Sequence, residues 1–246
     1  MKVEDFIFGT RAVMEAISAG KDIERVLLQK KAESASAQEL FFLLRQKDIE
    51  IQFVPVEKLN RVTRKNHQGV IAYISQISYT PLEEIVSRAY ESGKDPFVLV
   101  LDHISDVRNF GAIARTCECA GIDGIVIPEK GSVRVTSDAI KTSAGALMTL
   151  PVARVNSLRE TINYLSLAGL TIVSATEKSD TDIYQADLGG PMAVIMGSEE
   201  VGVSSSLLEL SNKRVKIPLL GEIGSLNVSV AAGVVIYEIL RQRRKA

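Results

Sequence analysis

Residues 97–121 read FVLVLDHISDVRNFGAIARTCECAG, and this stretch decides how the chain folds. Its first six residues form a continuous apolar run that ends in an acid, which is typical of a strand buried on both faces of a parallel sheet. A polar turn follows, and an apolar pattern with helical spacing begins near Asn109. A buried strand leading directly into a helix is the repeating unit of α/β proteins, so the stretch predicts that fold class.

The same alternation continues on both sides of this stretch. Downstream, apolar runs predict strands at residues 124–129, 170–176, 192–197 and 214–219, with helices beginning near Ser157 and Asn227. Upstream, the pattern predicts helices at residues 9–20 and 36–47 and strands at residues 25–29, 49–56 and 69–75. We therefore expect a mainly parallel sheet in the second half of the chain.

A change of pattern near residues 77–96 predicts the domain organisation. Pro81 and Pro96 enclose a polar helical segment, and Gly93 precedes the second proline. We interpret residues 77–95 as a linker helix. It would separate a small α/β domain at residues 1–76 from a larger α/β domain at residues 96–246.

Composition limits the classes of function. With 246 residues and 46% hydrophobic content, the chain can bury one large core or two small ones. The net charge of -1 gives no overall basic field, although a local basic patch is sufficient for binding nucleic acid. No apolar run approaches the ~20 residues of a membrane span. The start MKVEDFIFGT carries acids where a signal peptide carries basic residues, so we expect a cytoplasmic protein.

Cysteine and histidine usage argues against metal chemistry. Cys117 and Cys119 are separated by one residue, and the chain has 2 histidines. Two cysteines do not make a disulfide framework, and this pair lacks further ligands for a metal. We predict no metal site, and thiols that are buried or half-buried in a reducing compartment.

Three polar clusters follow predicted strands, at the strand ends where open α/β sheets bind ligands. The common motifs for such sites are absent: no glycine-rich dinucleotide fingerprint follows a strand, GSEEVGVS at residues 197–204 lacks the lysine of a phosphate-binding loop, and no nucleophile elbow occurs. The clusters therefore point to a less common chemistry.

The first cluster lies in residues 101–121. Asn109 is a good helix N-cap, which is one interpretation of its position. Arg115 has the apolar neighbours Ile113 and Ala114, and an arginine beside a core-facing stripe needs an anionic partner. That partner is either an internal carboxylate or a phosphate of a ligand.

The second cluster lies in residues 193–204, where a predicted strand runs into Gly197. A glycine at a strand end allows a ligand to approach the backbone closely. Glu199 and Gly202 follow in a turn, and Ser204 is placed to cap the next helix. A tight turn explains the glycines but leaves the acidic residues at the strand end unexplained.

The third cluster precedes the last helix. A predicted strand ends at Ile217 and Pro218, a glycine-containing loop follows, and the helix begins near Asn227. Ser225 and Asn227 have two interpretations. They cap the helix, or they belong to a ligand site at its N-terminus, where free backbone N–H groups bind polar groups.

Taken together, the three clusters resemble the three motifs of the SpoU/TrmH family of RNA 2'-O-ribose methyltransferases, within the SPOUT superfamily. The matching residues are Asn109, Gly111, Arg115, Gly197, Glu199, Gly202, Pro218, Ser225, Leu226, Asn227, Ser229 and Ala231. The front of the chain also contributes, since FIFGTRAVMEAI (residues 6–17) and NHQGVIAYIS (residues 66–75) look like a substrate-binding domain. That domain is typical of the RlmB-type branch, the 23S rRNA guanosine-2'-O-methyltransferases.

The resemblance implies a reaction and a site. Family members transfer a methyl group from S-adenosyl-L-methionine to a ribose 2'-hydroxyl of RNA, here a guanosine of 23S rRNA, without a metal. It implies a deep trefoil knot in the C-terminal domain and a homodimer. The residues it implies for catalysis are Asn109, Arg115, Glu199, Ser225 and Asn227. Those it implies for holding the cofactor are Met196, Gly197, Ile217, Pro218, Ser225 and Leu226.

Basic residues supply candidate RNA contacts. RVTRKNHQG places Arg61, Arg64, Lys65 and His67 in one predicted loop, and Arg11 lies near the first helix. The final RQRRKA adds four more basic side chains. Such runs are either solvated surfaces or phosphate contacts.

Three other functions are compatible with parts of the sequence. A tRNA-directed 2'-O-methyltransferase would carry the same motifs. A non-catalytic RNA-binding assembly factor could keep the fold, but it would not need all the motif residues. A small-molecule or nucleotide-binding α/β protein would leave the basic runs unexplained.

Overall fold

The computed structural model describes residues 6–30 and 35–244, which divide into two compact units. The first unit holds the described residues up to Ser78 together with Arg134–Ser137. The second holds Tyr79–Val133 and the chain from Asp138 onward. The acidic start at residues 1–5 and the terminal Lys245, on which two of the sequence predictions depend, lie outside the described residues.

The first unit is built on one mixed sheet. Its elements are β1 (Phe6–Phe8), α1 (Thr10–Ser18), β2 (Ile23–Gln29), α2 (Ala35–Gln46), β3 (Ile51–Val54), α3 (Val56–Val62) and β4 (Val70–Ile74). The strand order is β1-β4-β2-β3, with β2 and β3 parallel and both pairings of β4 antiparallel. This is the small α/β domain that the sequence predicts.

Alternation along β2 explains the layers of the first unit. Val26 and Leu28 point to one face and pack in a core with residues of α1 and α2. Leu27 points to the other face and packs with Leu59 of α3 and Ile71 of β4. Because successive side chains of a strand point to opposite faces, this sheet is covered by helices on both sides.

The second unit contains a six-stranded sheet that is parallel throughout. Its elements are α4 (Leu82–Glu91), β5 (Phe97–Asp102), α5 (Val107–Ala120), β6 (Gly124–Pro128), α6 (Ser137–Thr142), β7 (Val152–Val155), α7 (Leu158–Leu167), β8 (Thr171–Ala175), β9 (Met192–Gly197), α8 (Ser205–Leu208), β10 (Lys213–Val215) and α9 (Val228–Arg243), with a short 3-10 helix at Ala146–Met148. The strand order is β10-β8-β9-β5-β6-β7. The predicted α/β class with a parallel sheet is confirmed.

β5 lies in the middle of this sheet, between β9 and β6. All six of its residues are buried, as the continuous apolar run predicts. Val98 and Val100 pack in one core cluster with Ile195 of β9. The stretch that fixes the fold class is therefore also the centre of the sheet.

The segment predicted as a linker is part of the second unit. Leu82, Ile85 and Val86 of α4 are buried in the same core cluster as Val98. The segment predicted as a linker at residues 77–95 does contain a helix, but this helix packs on the sheet of the second unit through an apolar stripe and does not stand apart from it. The charged residues that make this helix read as polar lie on its other face.

Two predicted strands end earlier than the sequence suggests. The predicted strand at residues 49–56 stops at Val54, because Pro55 becomes the N-cap position of α3 and Val56 is already helical. The predicted strand at residues 214–219 stops at Val215. β10 is an edge strand paired with β8, and beyond it Lys216 forms one isolated parallel bridge with Asp182. Pro218 has no N–H with which to extend the pairing. β7 and α6 were not predicted at all, because each is short.

Arginines of the C-terminal helix serve the fold. Arg243 donates to the backbone oxygens of Asp95 and Pro96 at 3.0 and 3.1 Å, and its guanidinium lies 4.8 Å from the centre of the Phe97 ring. Burial lowers the pKa of Arg243, although nearby Asp95 opposes this shift. Arg241 pairs with the buried Glu238. Arg243 is therefore not available for the phosphate contacts predicted for the final basic run, and Arg241, whose side chain is 49% exposed, is partly engaged by Glu238.

Candidate functional site

A cavity of about 480 Å³ opens at the carboxyl edge of the parallel sheet in the second unit. It is lined by Ala175, Thr176, Glu177, Lys178, Met196, Gly197, Ser198, Glu199, Glu200, Val201, Gly202, Ile217, Leu219, Gly224, Ser225, Leu226, Val228 and Ala231. These residues come from the end of β8, the end of β9 with its loop, and the segment leading into α9. The carboxyl edge is where parallel sheets bind ligands.

Three predicted catalytic residues, one from each motif, meet beside this cavity. Glu199 Oε1 accepts hydrogen bonds from Asn227 Nδ2 at 2.7 Å and from Asn109 Nδ2 at 3.4 Å. Asn227 Nδ2 also donates to Asn109 Oδ1 at 3.0 Å. Side chains far apart in the sequence therefore form one polar network, which we call the Asn–Glu–Asn network.

The network is joined to the start of α9. Glu199 Oε1 accepts from the backbone N–H of Val228 at 3.1 Å, and Asn227 Oδ1 accepts from the backbone N–H of Ser229 at 3.0 Å. A carboxylate at a helix N-terminus is stabilised by the helix dipole. Asn227 is thus both the N-cap of α9 and a member of the network, so its capping role is confirmed and its place in a ligand site stays a prediction.

The start of α5 differs from the sequence prediction. The N-cap is Asp106, whose Oδ1 accepts from the backbone N–H of Asn109 at 2.8 Å. Asn109 lies inside the helix, so its predicted role as the cap is wrong. Aspartate and asparagine cap equally well, and here Asp106 holds the position. This leaves the Asn109 side chain free to enter the Asn–Glu–Asn network.

Arg115 lies on the exposed side of α5. It forms no ion pair with any residue in the described part of the chain. An internal carboxylate, one of its two predicted partners, is therefore not present among those residues. A free guanidinium is suited to a bidentate contact with a phosphate.

Gly197 is required by its own loop. A Cβ at this position would lie 2.0 Å from the carbonyl carbon of Gly202 and 2.2 Å from the backbone nitrogen of Val203. The loop folds back here, with the Gly202 N–H donating to the Ser198 oxygen at 2.9 Å. Of the two explanations that the sequence offers for this glycine, a tight turn and close approach of a ligand, the structure shows the tight turn. Gly197 also lines the cavity, so close approach of a ligand stays a prediction.

Asp102 anchors this loop to the central strand, a role that sequence reasoning missed. Its buried carboxylate accepts from the backbone N–H of Ser204 at 2.8 Å and from the Ser204 hydroxyl at 2.6 Å. The other carboxylate oxygen lies 2.7 Å from Nδ1 of His103. Ser204 occupies the N-cap position of α8, but its side chain makes no capping bond. An acid ending a fully buried strand was the available signal.

Five of the six residues predicted to hold the cofactor line the cavity. Met196, Gly197, Ile217, Ser225 and Leu226 line the cavity, whereas Pro218 does not. Ser225 lies outside the Asn–Glu–Asn network, although it was grouped with its members. Sequence reasoning missed the lining residues at the end of β8, which are Ala175, Thr176, Glu177 and Lys178. They could have been found, since a strand beside β9 ends at the same edge.

The basic cluster of the first unit differs in part from the prediction. Arg61 lies in the last turn of α3 rather than in a loop, and it is exposed together with Arg64 and Lys65. His67 is buried, and its two ring nitrogens bond Asn60 Oδ1 at 2.9 Å and the Gly69 N–H at 3.0 Å. These bonds give His67 a structural role, which removes it from the set of RNA contacts that we propose.

The remaining predicted side chains are placed as follows. Arg11 is exposed on α1. Cys117 is buried, and burial raises the pKa of its thiol, whereas Cys119 is exposed, contrary to the expectation for both thiols. Across residues 6–30 and 35–244, histidine, cysteine and carboxylate side chains form no group of three that could hold a metal ion. In the same residues, no helix is both long and apolar enough to cross a membrane.

Comparison with known families matches both units. Residues 96–237 match the model of the SpoU rRNA Methylase family. Residues 6–80 match the model described as RNA 2'-O ribose methyltransferase substrate binding.

Similar proteins match over nearly the whole chain. A putative TrmH family tRNA/rRNA methyltransferase of Staphylococcus saprophyticus is 36% identical over 240 residues, covering 98% of this chain and 96% of that protein. The putative TrmH family tRNA/rRNA methyltransferase YacO of Bacillus subtilis is 34% identical over 239 residues, covering 97% and 96%. The crystal structure of the SpoU methyltransferase AviRb from Streptomyces viridochromogenes, in complex with AdoMet, has a TM-score of 0.62 and 24% identity, covering 98% and 91%. This structural likeness extends the agreement in fold to both units.

Proposed function

This chain belongs to the SpoU family of RNA 2'-O-ribose methyltransferases, and from that premise we propose that it methylates the ribose of a guanosine in 23S rRNA, using S-adenosyl-L-methionine as the donor. The observation that carries the proposal is the Asn–Glu–Asn network beside the cavity. Asn109, Glu199 and Asn227 come from the three motifs, one residue from each, and they meet at the carboxyl edge of the sheet.

The cavity fits the proposed donor. Its volume of about 480 Å³ lies in the usual range for small-ligand sites. Met196, Ile217 and Leu226 give it an apolar lining suited to an adenosyl group, and Glu177 and Lys178 supply both signs of charge for an amino-acid zwitterion. When bound, S-adenosyl-L-methionine supplies an electrophilic methyl group on a sulfonium.

The residues of the site account for the acceptor side of the reaction. A ribose hydroxyl is a weak nucleophile, so its orientation contributes much of the rate. Asn109 and Asn227 are held by Glu199, and we propose that they fix the position of the hydroxyl together with Ser225. Arg115 clamps the neighbouring phosphate. We do not assign it as the base, because a guanidinium stays protonated.

The family resemblance adds two structural proposals. We propose that the segment between β9 and α9, which lines the cavity, forms a trefoil knot. We also propose that the protein is a homodimer with α9 at the interface. Val230 and Tyr237 support it, because these large side chains of α9 are 53% and 52% exposed. An exposed apolar face on a helix favours contact with a second copy.

The basic cluster Arg61, Arg64 and Lys65 predicts a strong dependence of RNA binding on salt. Replacing all three with glutamate should weaken RNA binding at least tenfold at low salt, because fewer counterions are released from the RNA when fewer phosphates are contacted. The slope of log affinity against log salt should become shallower by about two to three. Filter binding of purified rRNA across a salt series measures both quantities.

The charge-reversal variant needs a matched control. Lys21 and Lys47 are exposed basic residues of the same unit outside the cluster, and their replacement with glutamate should change the slope by less than one. An equal loss from the control variant would mean that net charge, not the cluster, sets the affinity.

We also propose a cytoplasmic location, because the proposed substrate is ribosomal RNA.

The function is tested by mapping 2'-O-methylated nucleosides in rRNA and tRNA from cells with the gene deleted. We expect one 2'-O-methylguanosine to disappear from 23S rRNA and to return when the wild-type gene is restored. Purified protein should incorporate labelled methyl from S-adenosyl-L-methionine into 23S rRNA of the deletion strain. Rescue should fail with the Asn109→Ala gene, because that side chain touches both other members of the network.

Each alternative function gives a different result in the same experiment. Loss of a methyl group from tRNA alone would replace the rRNA assignment with a tRNA-directed enzyme. An unchanged methylation map, together with no donor binding by calorimetry, would favour a non-catalytic RNA-binding factor.

A further inference from the structure

We propose that one face of the sheet in the first unit, carrying Phe6, Phe8 and Tyr73, binds unpaired RNA bases by stacking. The proposal rests on the proposed function in taking RNA as the ligand. It assigns a binding surface to residues that lie outside both the catalytic motifs and the basic cluster. We call these three aromatic side chains the aromatic row.

Strand pairing brings the side chains together. Phe6 of β1 is paired with Tyr73 of β4, and Tyr73 is paired on its other side with Arg25 of β2. Paired residues point to the same face of a sheet, so these three side chains lie side by side on three neighbouring strands. The Phe6 and Tyr73 ring centres are 6.1 Å apart, and the Arg25 guanidinium lies 4.6 Å from the Tyr73 ring centre.

α3 covers only part of this face. Its Leu59 packs with Leu27 and Ile71, and the aromatic row packs against the edge of this cluster, where its three side chains stay half-buried rather than buried. Phe8 lies 6.4 Å from Phe6, and Lys65 Nζ lies 5.7 Å from the Phe8 ring centre. Aromatic rings with cations beside them, on a partly open sheet, form the platform on which single-stranded nucleic acids stack.

The charges around the row favour a polyanion. Arg25, Arg61, Arg64 and Lys65 form no ion pair with a residue in the described ranges. Arg25 Nε is also buried without a hydrogen-bond partner there. Bases that stack on the rings while phosphates meet the cations would use both features.

The opposite face of the same sheet supplies a comparison. α2 covers that face, and its Phe42 is 72% exposed. Arg45 lies 5.3 Å from the Phe41 ring centre, so this side also has an arginine on an aromatic ring. It lacks the cross-strand row and the neighbouring basic cluster. Substitutions at Phe42 and Arg45 therefore serve as matched controls.

The test uses the full-length protein without a methyl donor. The probes are a single-stranded RNA oligonucleotide with one 2-aminopurine and the same sequence in a fully paired duplex. We expect binding of the single strand to quench the 2-aminopurine fluorescence, because stacked rings quench it. Tyr73→Leu should weaken single-strand binding at least about fivefold and change duplex binding by less than twofold. Arg25→Gln also removes a charge, so it should weaken both, with the loss for the single strand at least about fivefold and clearly larger than the loss for the duplex.

Control variants decide between stacking and misfolding. Tyr73→Phe keeps the ring and should keep the affinity, and Phe42→Leu and Arg45→Gln should leave it unchanged. Thermal unfolding, followed by circular dichroism, shows whether each variant is folded. If Tyr73→Leu is unfolded, the Arg25→Gln result decides.

Two results would overturn the proposal. One is that the single strand binds without quenching of the 2-aminopurine fluorescence. The bound bases would then lie away from the rings, and this face would be left to a protein partner. The other is equal weakening of single-strand and duplex binding by Tyr73→Leu and Arg25→Gln. Because the assay contains no methyl donor, absence of methyl transfer in the earlier experiment would refute the enzyme without affecting this measurement.

Discussion

Replacing Arg115 with alanine is expected to lower the rate of RNA methylation about 10²- to 10³-fold. The side chain is exposed on α5 and forms no ion pair with a residue in the described part of the chain, so its removal breaks no internal contact of that kind. The free energy of unfolding should therefore change by less than about 0.5 kcal/mol. The loss of rate comes from losing a charge-assisted contact with the RNA phosphate, which positions the ribose.

Single-turnover methylation of 23S rRNA from the deletion strain measures this effect, with donor binding followed separately by calorimetry. Donor affinity should stay within about twofold, since Arg115 does not line the cavity. Arg115→Lys should recover only part of the rate, because an ammonium cannot make the bidentate contact. Arg159→Ala removes another exposed arginine of the second unit, and its rate should match wild type. Full activity of Arg115→Ala would remove this residue from the site.

The fold could be predicted wherever one strand or helix carries its own complete signal. β5 and β9 are continuous apolar runs, and both are buried in the middle of the sheet. α4 was misread because its apolar stripe is interrupted by charged residues in the sequence, and only packing shows that one face is covered. β7 has four residues, too few to give a period that differs from chance.

The site could be predicted in its members but not in its geometry. The clusters containing Asn109 and Asn227 were recognised at strand ends, but their contact joins residues 118 positions apart. A sequence pattern spans only a few residues, so it cannot predict a contact between residues so far apart. The choice between Asp106 and Asn109 as helix cap also needs coordinates, because both residues have the same capping chemistry. Asp102 was missed because its partner Ser204 is equally remote in sequence.

Gly197→Ala is expected to destabilise the protein by at least about 3 kcal/mol and to abolish donor binding. The added Cβ would lie 2.0 Å from the carbonyl carbon of Gly202 and 2.2 Å from its oxygen. Both are backbone atoms, so rotation of a side chain cannot relieve the overlap. The loop after β9 would have to move, and that loop carries Glu199 of the Asn–Glu–Asn network and lines the cavity.

Gly221→Ala is the matched control, because no atom lies within 4 Å of the added Cβ and Gly221 has no left-handed backbone angle. It should change stability by less than about 1 kcal/mol, with any gain coming from the less flexible unfolded chain. Urea unfolding and calorimetric titration with S-adenosyl-L-methionine measure both variants. A loop that tolerates Gly197→Ala with unchanged stability would mean that the backbone at Gly202 and Val203 does not lie against this strand in solution. In that case the position of Glu199, and with it the arrangement of all three motifs around the cavity, would have to be revised.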